Sequence, residues 1–158
     1  MSKLEPKVTP RIGLLPTGLQ IYWEQYPRLR ERGLAMYDKL VEGLSEFGEV
    51  FSPGLVDNDQ RAEEAAKYLK DQDVDILLIF PFGYTTGAMI TPTIRALDVP
   101  IRLINAHVDS SYDYKTADTE EYLFHEGPCC IPEYSAALVS QGKKFQVITG
   151  YFAQKEFW

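Results

Sequence analysis

Two histidines, two adjacent cysteines and one crowd of aromatic and amide side chains are the residues of this chain best equipped for chemistry. His107 lies in Asn-Ala-His-Val-Asp, and His125 in Phe-His-Glu-Gly-Pro-Cys-Cys-Ile-Pro-Glu. Either can be a loop histidine bonded to backbone and nothing more. His125 has more around it. Glu126 adjoins it, Gly127 and Pro128 shape the backbone, and a helix start is expected a few residues on. The free N–H groups of such a helix end suit an oxygen-rich ligand. Gln20, Tyr22, Trp23, Glu24, Gln25 and Tyr26 form the second concentration. An aromatic face packs on the C–H side of a sugar ring, and amides and carboxylates take its hydroxyls, so the local chemistry suits a polyol. The alternative is that these aromatics belong to the core or an interface. Cys129 and Cys130 are neighbours without Cys-x-x-Cys spacing. They read as reduced, partly buried thiols, with a reactive Cys129 thiolate at a helix start as the lesser alternative.

Several common sites lack their sequence support. A single glycine, Gly18, follows the first apolar run where a dinucleotide fold needs three, and Gly83 and Gly87 in Gly-Tyr-Thr-Thr-Gly match no phosphate loop. There is no Walker lysine, no Gly-x-Ser-x-Gly elbow and no His-Glu-x-x-His pair. A metal site built from this chain alone therefore has no recognisable spacing.

These residues need elements to hold them. Residues 11–16 and 49–52 are short apolar runs stopped by Pro and Gly, and read as strands. Residues 75–80 are apolar without alternation, as in a central parallel strand covered on both faces. Residues 101–105 and 145–149 complete five strands. Between them, Tyr37, Leu40, Val41, Leu44 and Phe47 recur at spacings of three and four, which predicts a helix over 28–47 with Gly48 just past its end. Asn58 or Asp59 caps a helix to about Asp71, and Thr85 or Thr86 one to about Leu97. A fourth helix is expected over 132–141, with Pro132 in its first turn and Gly142 after its end. Residues 106–123 read as a long polar loop, and residues 151–158 as the start of another helix.

Alternating strands and helices predict one α/β domain over 11–158: an open parallel five-stranded sheet in three αβα layers, in the flavodoxin-like order 2-1-3-4-5. A ligand then belongs at the carboxyl ends of the strands, which places Gln20, Tyr22, Phe82 and Tyr84 on the side where binding is expected. Residues 1–10 read as a disordered tail.

Composition limits the partners. The 158 residues are 45% hydrophobic and 25% charged, as in an ordinary globular domain. The net charge is −7 without a basic cluster, which argues against nucleic acid and anionic membrane. The N-terminus lacks the apolar segment of a secretory signal, and the longest apolar run, residues 76–82, is far short of a membrane span, so a cytoplasmic location is expected. Phe157 and Trp158 end the chain without a cap, which points to a piece of a longer protein or to an end packed on a partner.

Three segments carry a resemblance to a known family. They are IGLLPTGLQIYWEQYPRLRE, DILLIFPFGYTTGAMITPTIRALDVPIRLINAH and FHEGPCCIPEYSAALVSQGKKFQVITGYF. In order and spacing the chain resembles the N-terminal domain of the L-arabinose isomerases and the L-fucose/L-arabinose isomerase-like proteins. The resemblance implies a three-domain, trimeric or hexameric enzyme that interconverts aldose and ketose sugars with a divalent metal, usually manganese. It puts the metal ligands in the central and C-terminal domains, so this chain would hold no cofactor and be inactive alone. It also implies that the domain covers a neighbouring subunit's active site. His125, Gln20 and Tyr22, and the loop of Phe82 and Tyr84, are then substrate contacts. The family's Ser-Gln-His-Leu-Tyr-Gly turn is not reproduced, and Gly-Pro-Cys-Cys-Ile-Pro departs from typical L-arabinose isomerases, which points to a divergent branch. Two other readings stay open beside it: a sugar-binding lobe of a two-lobe receptor without catalysis, and an oligomerisation domain.

Overall fold

A computed structural model describes residues 9–158 except Val108 and Tyr112. The expected residues 1–10 tail therefore lies almost wholly outside the described residues. Five strands form one parallel sheet: β1 (Arg11–Thr17), β2 (Glu49–Phe51), β3 (Ile76–Pro81), β4 (Ile101–His107) and β5 (Phe145–Tyr151), in the order β2-β1-β3-β4-β5. This is the three-layer α/β arrangement and strand order expected from the sequence. The strand order reverses at β1, and the loops after β1 and β3 stay joined at the carboxyl edge: the Thr85 hydroxyl donates to the Gly18 carbonyl at 2.8 Å and the Phe82 N–H to the Thr17 carbonyl at 3.0 Å.

Side chains alternate across the sheet and feed two cores. Leu15, Leu77, Ile79, Ile101 and Leu103 pack under α2 (Asp59–Asp71), α3 (Thr91–Ala96) and α5 (Gly127–Ser140), against Leu69, Ile94, Tyr134 and Leu138. Ile12, Leu14, Leu78, Phe80, Ile104 and Ala106 pack under α1 (Pro27–Leu44) and α4 (Thr119–Phe124), against Leu29, Met36, Leu40 and Phe124. Both faces of β3 are covered, which is why residues 76–81 lack a polar alternate. Inside the first core the phenol of Tyr134 donates to Thr17 Oγ1 at 2.8 Å, tying α5 to the end of β1.

The helices differ from expectation at their ends. α2 occupies the residues predicted, because the Asn58 side chain accepts the Arg61 N–H at 3.0 Å. The helix expected from Thr85 is split into a 3₁₀ turn (Gly87–Met89) and α3. Pro92 causes the break, since it has no N–H to continue the ladder and suits only a first turn. The helix expected at 132 starts five residues earlier. Pro128 fills the first-turn role assigned to Pro132, and Pro132 lies in the interior. The carbonyl that Pro132 leaves without a partner is that of Pro128, whose residue is exposed and can be hydrated. Gly142 ends α5 with φ +67°, as its position implied. The residues 106–123 loop contains an unexpected helix, α4. Asp118 caps it by accepting the Glu121 N–H at 2.8 Å. The last residues form a 3₁₀ turn (Lys155–Phe157), not an amphipathic helix, and their rings cluster: Phe152 lies 5.4 Å from Phe157 and 5.9 Å from Trp158. Among the described residues no helix is long and apolar enough to cross a membrane.

Candidate functional site

The carboxyl ends of β4 and β3, the start of α5 and the short helix α4 meet where His125 lies. His125 follows α4 as its C-cap residue, so its ring falls one turn beyond Glu121. Its Nε2 lies 3.0 Å from Glu121 Oε1. The Glu121 carboxylate is in turn gripped through both oxygens by the Arg32 guanidinium of α1, which rests 3.7 Å above the Phe124 ring. A two-point guanidinium–carboxylate pair of this kind fixes direction as well as charge. It holds the Glu121 carboxyl below its ordinary range; burial opposes this, and His125 adds to it.

His107, at the end of β4, faces His125 with ring centroids 5.4 Å apart. Its Nδ1 is buried without a hydrogen-bond partner. Burial lowers its pKa, and the neighbouring His125 lowers it further, so it is a neutral imidazole at pH 7.

A second set of ion pairs clamps the same helix. Buried Glu120 accepts the Leu29 backbone N–H at 2.8 Å and the Arg28 Nε–H at 2.5 Å, and Arg28 also reaches Asp118 at 2.8 Å. Without those partners the Glu120 carboxylate would be costly to bury. With them, α4 is fastened to the start of α1, and His125 inherits a fixed base.

Of the residues singled out from the sequence, His125 lies in this cluster. Tyr22 and Tyr84 lie in the loops after β1 and β3, Tyr22 packed against the core under α1 and Tyr84 against the core under α5. Burial raises the Tyr22 phenol pKa, and neighbouring Tyr84 and Tyr26 raise it further. Gln20 is exposed and accepts the Asn58 amide at 3.1 Å, beside the start of α2. Phe82 is 1% exposed, stacks on Trp23 at 6.2 Å and belongs to the core. Trp23 is likewise structural: its indole N–H donates to Asp57 at 2.6 Å. Cys130 is buried, and Cys129 is exposed. The Cys129 pKa is raised, first by hydrogen bonding to Glu126 and then by burial, which is the opposite of a reactive thiolate.

Sequence reasoning did not find Arg32, Glu121 or Asp109 as part of the site. Arg32 and Glu121 are 89 residues apart, and only the packing of α4 on α1 joins them. The local signal that was present is the Asp118 cap three residues before Glu121.

Asp109, Glu121 and His125 each offer a ligand atom within 4.8 Å of one another, the one such group among the described residues. They do not fit a divalent cation. The Arg32 guanidinium already occupies both carboxylates, on Glu121 directly and 3.6 Å from Asp109, and a metal would have to sit against that positive charge.

This chain has the fold class of a three-layer α/β domain with a polar histidine cluster at its carboxyl edge. Among known proteins, no family model matches it and no curated protein matches it.

Proposed function

We propose that this chain is the N-terminal domain of a metal-dependent aldose–ketose isomerase, of the L-arabinose/L-fucose isomerase-like kind, which contacts the sugar and a neighbouring subunit while other domains carry the metal. The observation that supports it most directly is the placement of His125. It stands at the carboxyl edge of the sheet, oriented by Glu121 at 3.0 Å and facing the His107 ring. A carboxylate-oriented imidazole presents a directional partner to a hydroxyl group of a sugar. The poor fit of Asp109, Glu121 and His125 to a cation agrees with a metal held elsewhere. Two unpaired thiols agree with a cytoplasmic location.

The chain supplied with Mn²⁺ and L-arabinose or L-fucose is expected to form no ketose; substantial turnover overturns the division of labour between domains. In the intact protein, His125→Ala is expected to lower kcat/KM by about 10- to 100-fold, the usual cost of a lost charge-assisted contact. An unchanged kcat/KM removes His125 from the sugar site.

A further inference from the structure

The two outer strands end the sheet in different ways. β2 has three residues and carries the exposed Glu49, paired with Arg11 at 3.3 Å, so its edge is short and charged. Both features guard an edge against further pairing. β5 has seven residues, Phe-Gln-Val-Ile-Thr-Gly-Tyr, without charge or proline, and it matches β4 residue for residue. The Phe152 N–H donates to the His107 carbonyl at 3.1 Å, so Gly150, Ile148 and Gln146 also turn their backbone groups to β4. Phe145, Val147, Thr149 and Tyr151 turn theirs outward. Gln154 closes one end: its side chain accepts the Tyr151 N–H at 3.3 Å, and its own N–H donates to the Tyr151 carbonyl at 2.9 Å. The outward groups of Phe145, Val147 and Thr149 have no partner among the described residues. They are a template for another strand.

The side chains of these three stand on the face of α5. Phe145 packs against the core beneath that helix, and Val147, in register with Leu103 of the same core, is 42% exposed. The outer stripe of α5 is Pro128, Pro132, Ala136 and Val139, all exposed, Val139 at 67%. From Gly127 to Gln154 the charged residues are Glu133, Lys143 and Lys144, on a chain that is 25% charged. The Glu133 carboxylate is used inward, accepting the Gly87 N–H at 2.7 Å, and the Lys143 ammonium donates to the Leu97 carbonyl at 2.7 Å. A helix without a polar outer face is one that another surface covers.

Charge and symmetry identify that surface. A net charge of −7 opposes contact between two copies through their acidic surfaces, whereas the β5 edge and the outer stripe of α5 bring no carboxylate. The free edge is also its own complement. Its midpoint is Val147, and a twofold axis there sets Val147 of one copy against Val147 of the other and Phe145 against Thr149. Each pair then exchanges both N–H···O=C bonds. Strand and helix each run about 20 Å, a face that suits a small, reversible interface.

We propose that this chain forms a twofold dimer through the outer edge of β5, the two strands antiparallel about Val147 and the α5 helices meeting over them. This interface uses neither His125 nor a sugar, so it stands or falls apart from that reading.

Sedimentation equilibrium of the full chain is expected to show monomer and dimer exchanging with a Kd of about 1–100 μM. Above that concentration, amide exchange at Phe145, Val147 and Thr149 should slow relative to the diluted protein, with the amides of β2 unchanged. Val147→Lys sets like charges directly across the axis and is expected to raise Kd by about tenfold. Thr149→Lys, at a second exposed position, should act in the same direction. A monomer at about 1 mM leaves the edge to a foreign strand and overturns the proposal. So does a dimer that both variants leave unchanged, or one in which the three amides exchange as fast as in the monomer.

Discussion

Glu121 Oε1 lies 3.0 Å from His125 Nε2, and the guanidinium of Arg32 grips the same carboxylate. One acidic side chain thus joins α1, α4 and the histidine ahead of α5. Its carboxyl is held below its ordinary value of 4.5, chiefly by the hydrogen bond from Arg32. The folded state therefore favours the ionised form. That contribution is present above pH 4.5 and is lost as pH falls through the lowered folded value. Glu121→Gln is expected to destabilise the protein by about 1 kcal/mol at pH 7, a modest figure because the pair is partly solvated. The difference from wild type should be smaller at pH 3 than at pH 7. Urea unfolding at the two pH values measures it, and an equal deficit at both would show that shape, not charge, makes the contribution.

His107 gives an acid response in a different window. Its pKa lies below the ordinary 6.5 because its ring is buried and faces His125, while Asp109 opposes the shift weakly. Once pH drops below about 6.5 the unfolded chain binds a proton that the folded chain resists, so stability falls with pH. Replacing His107 with Leu removes that term and leaves no orphaned Nδ1. The expected outcome is a flatter Tm profile between pH 7 and pH 5 than in wild type. Parallel profiles would mean that His107 titrates alike in both states.

Much of this architecture is legible from local pattern. The unbroken apolar run at 76–81 required cover on both faces, and β3 is indeed central, between β1 and β4. Asn58 predicted the start of α2 because a cap is a local chemical event. The site was less legible, for a physical reason. α4 is six residues long, too short for apolar periodicity to announce it, and its function is to pair with arginines about 90 residues away. Phe82 follows a strand end, where aromatics often face a ligand. The depth to which it sinks depends on a distant glycine that no local pattern connects to it.

That glycine is Gly33, inside α1. A Cβ there would meet Phe82 Cδ2 at 2.0 Å, and Phe82 is too deeply buried to move aside. Overpacking of this kind costs about 1–3 kcal/mol. Alanine recovers roughly 1 kcal/mol of helix propensity. Gly33→Ala is therefore expected to lose up to about 2 kcal/mol in denaturant unfolding, near the upper end because the ring contact is so close, and Phe82→Leu in the same chain should restore part of it. A Gly33→Ala protein as stable as wild type would mean that the helix and sheet can separate at no cost.

The two cysteines should report their surroundings through reaction rate. The thiolate is the reactive form, so a raised pKa slows a thiol. Burial pushes Cys130 up to about 12, and its Sγ is enclosed by the Thr85 N–H at 3.1 Å and the Gly83 carbonyl at 3.3 Å. Cys129 is exposed, yet the neighbouring Glu126 carboxylate raises it too. With a thiol reagent at pH 8, one residue per native chain should react, more slowly than a free small thiol, and the second only on unfolding. Glu126→Gln removes the charge that disfavours the Cys129 thiolate and should speed the first reaction several-fold. Two fast thiols in the native chain would contradict the burial of Cys130, and an unchanged rate in Glu126→Gln would remove Glu126 as the cause.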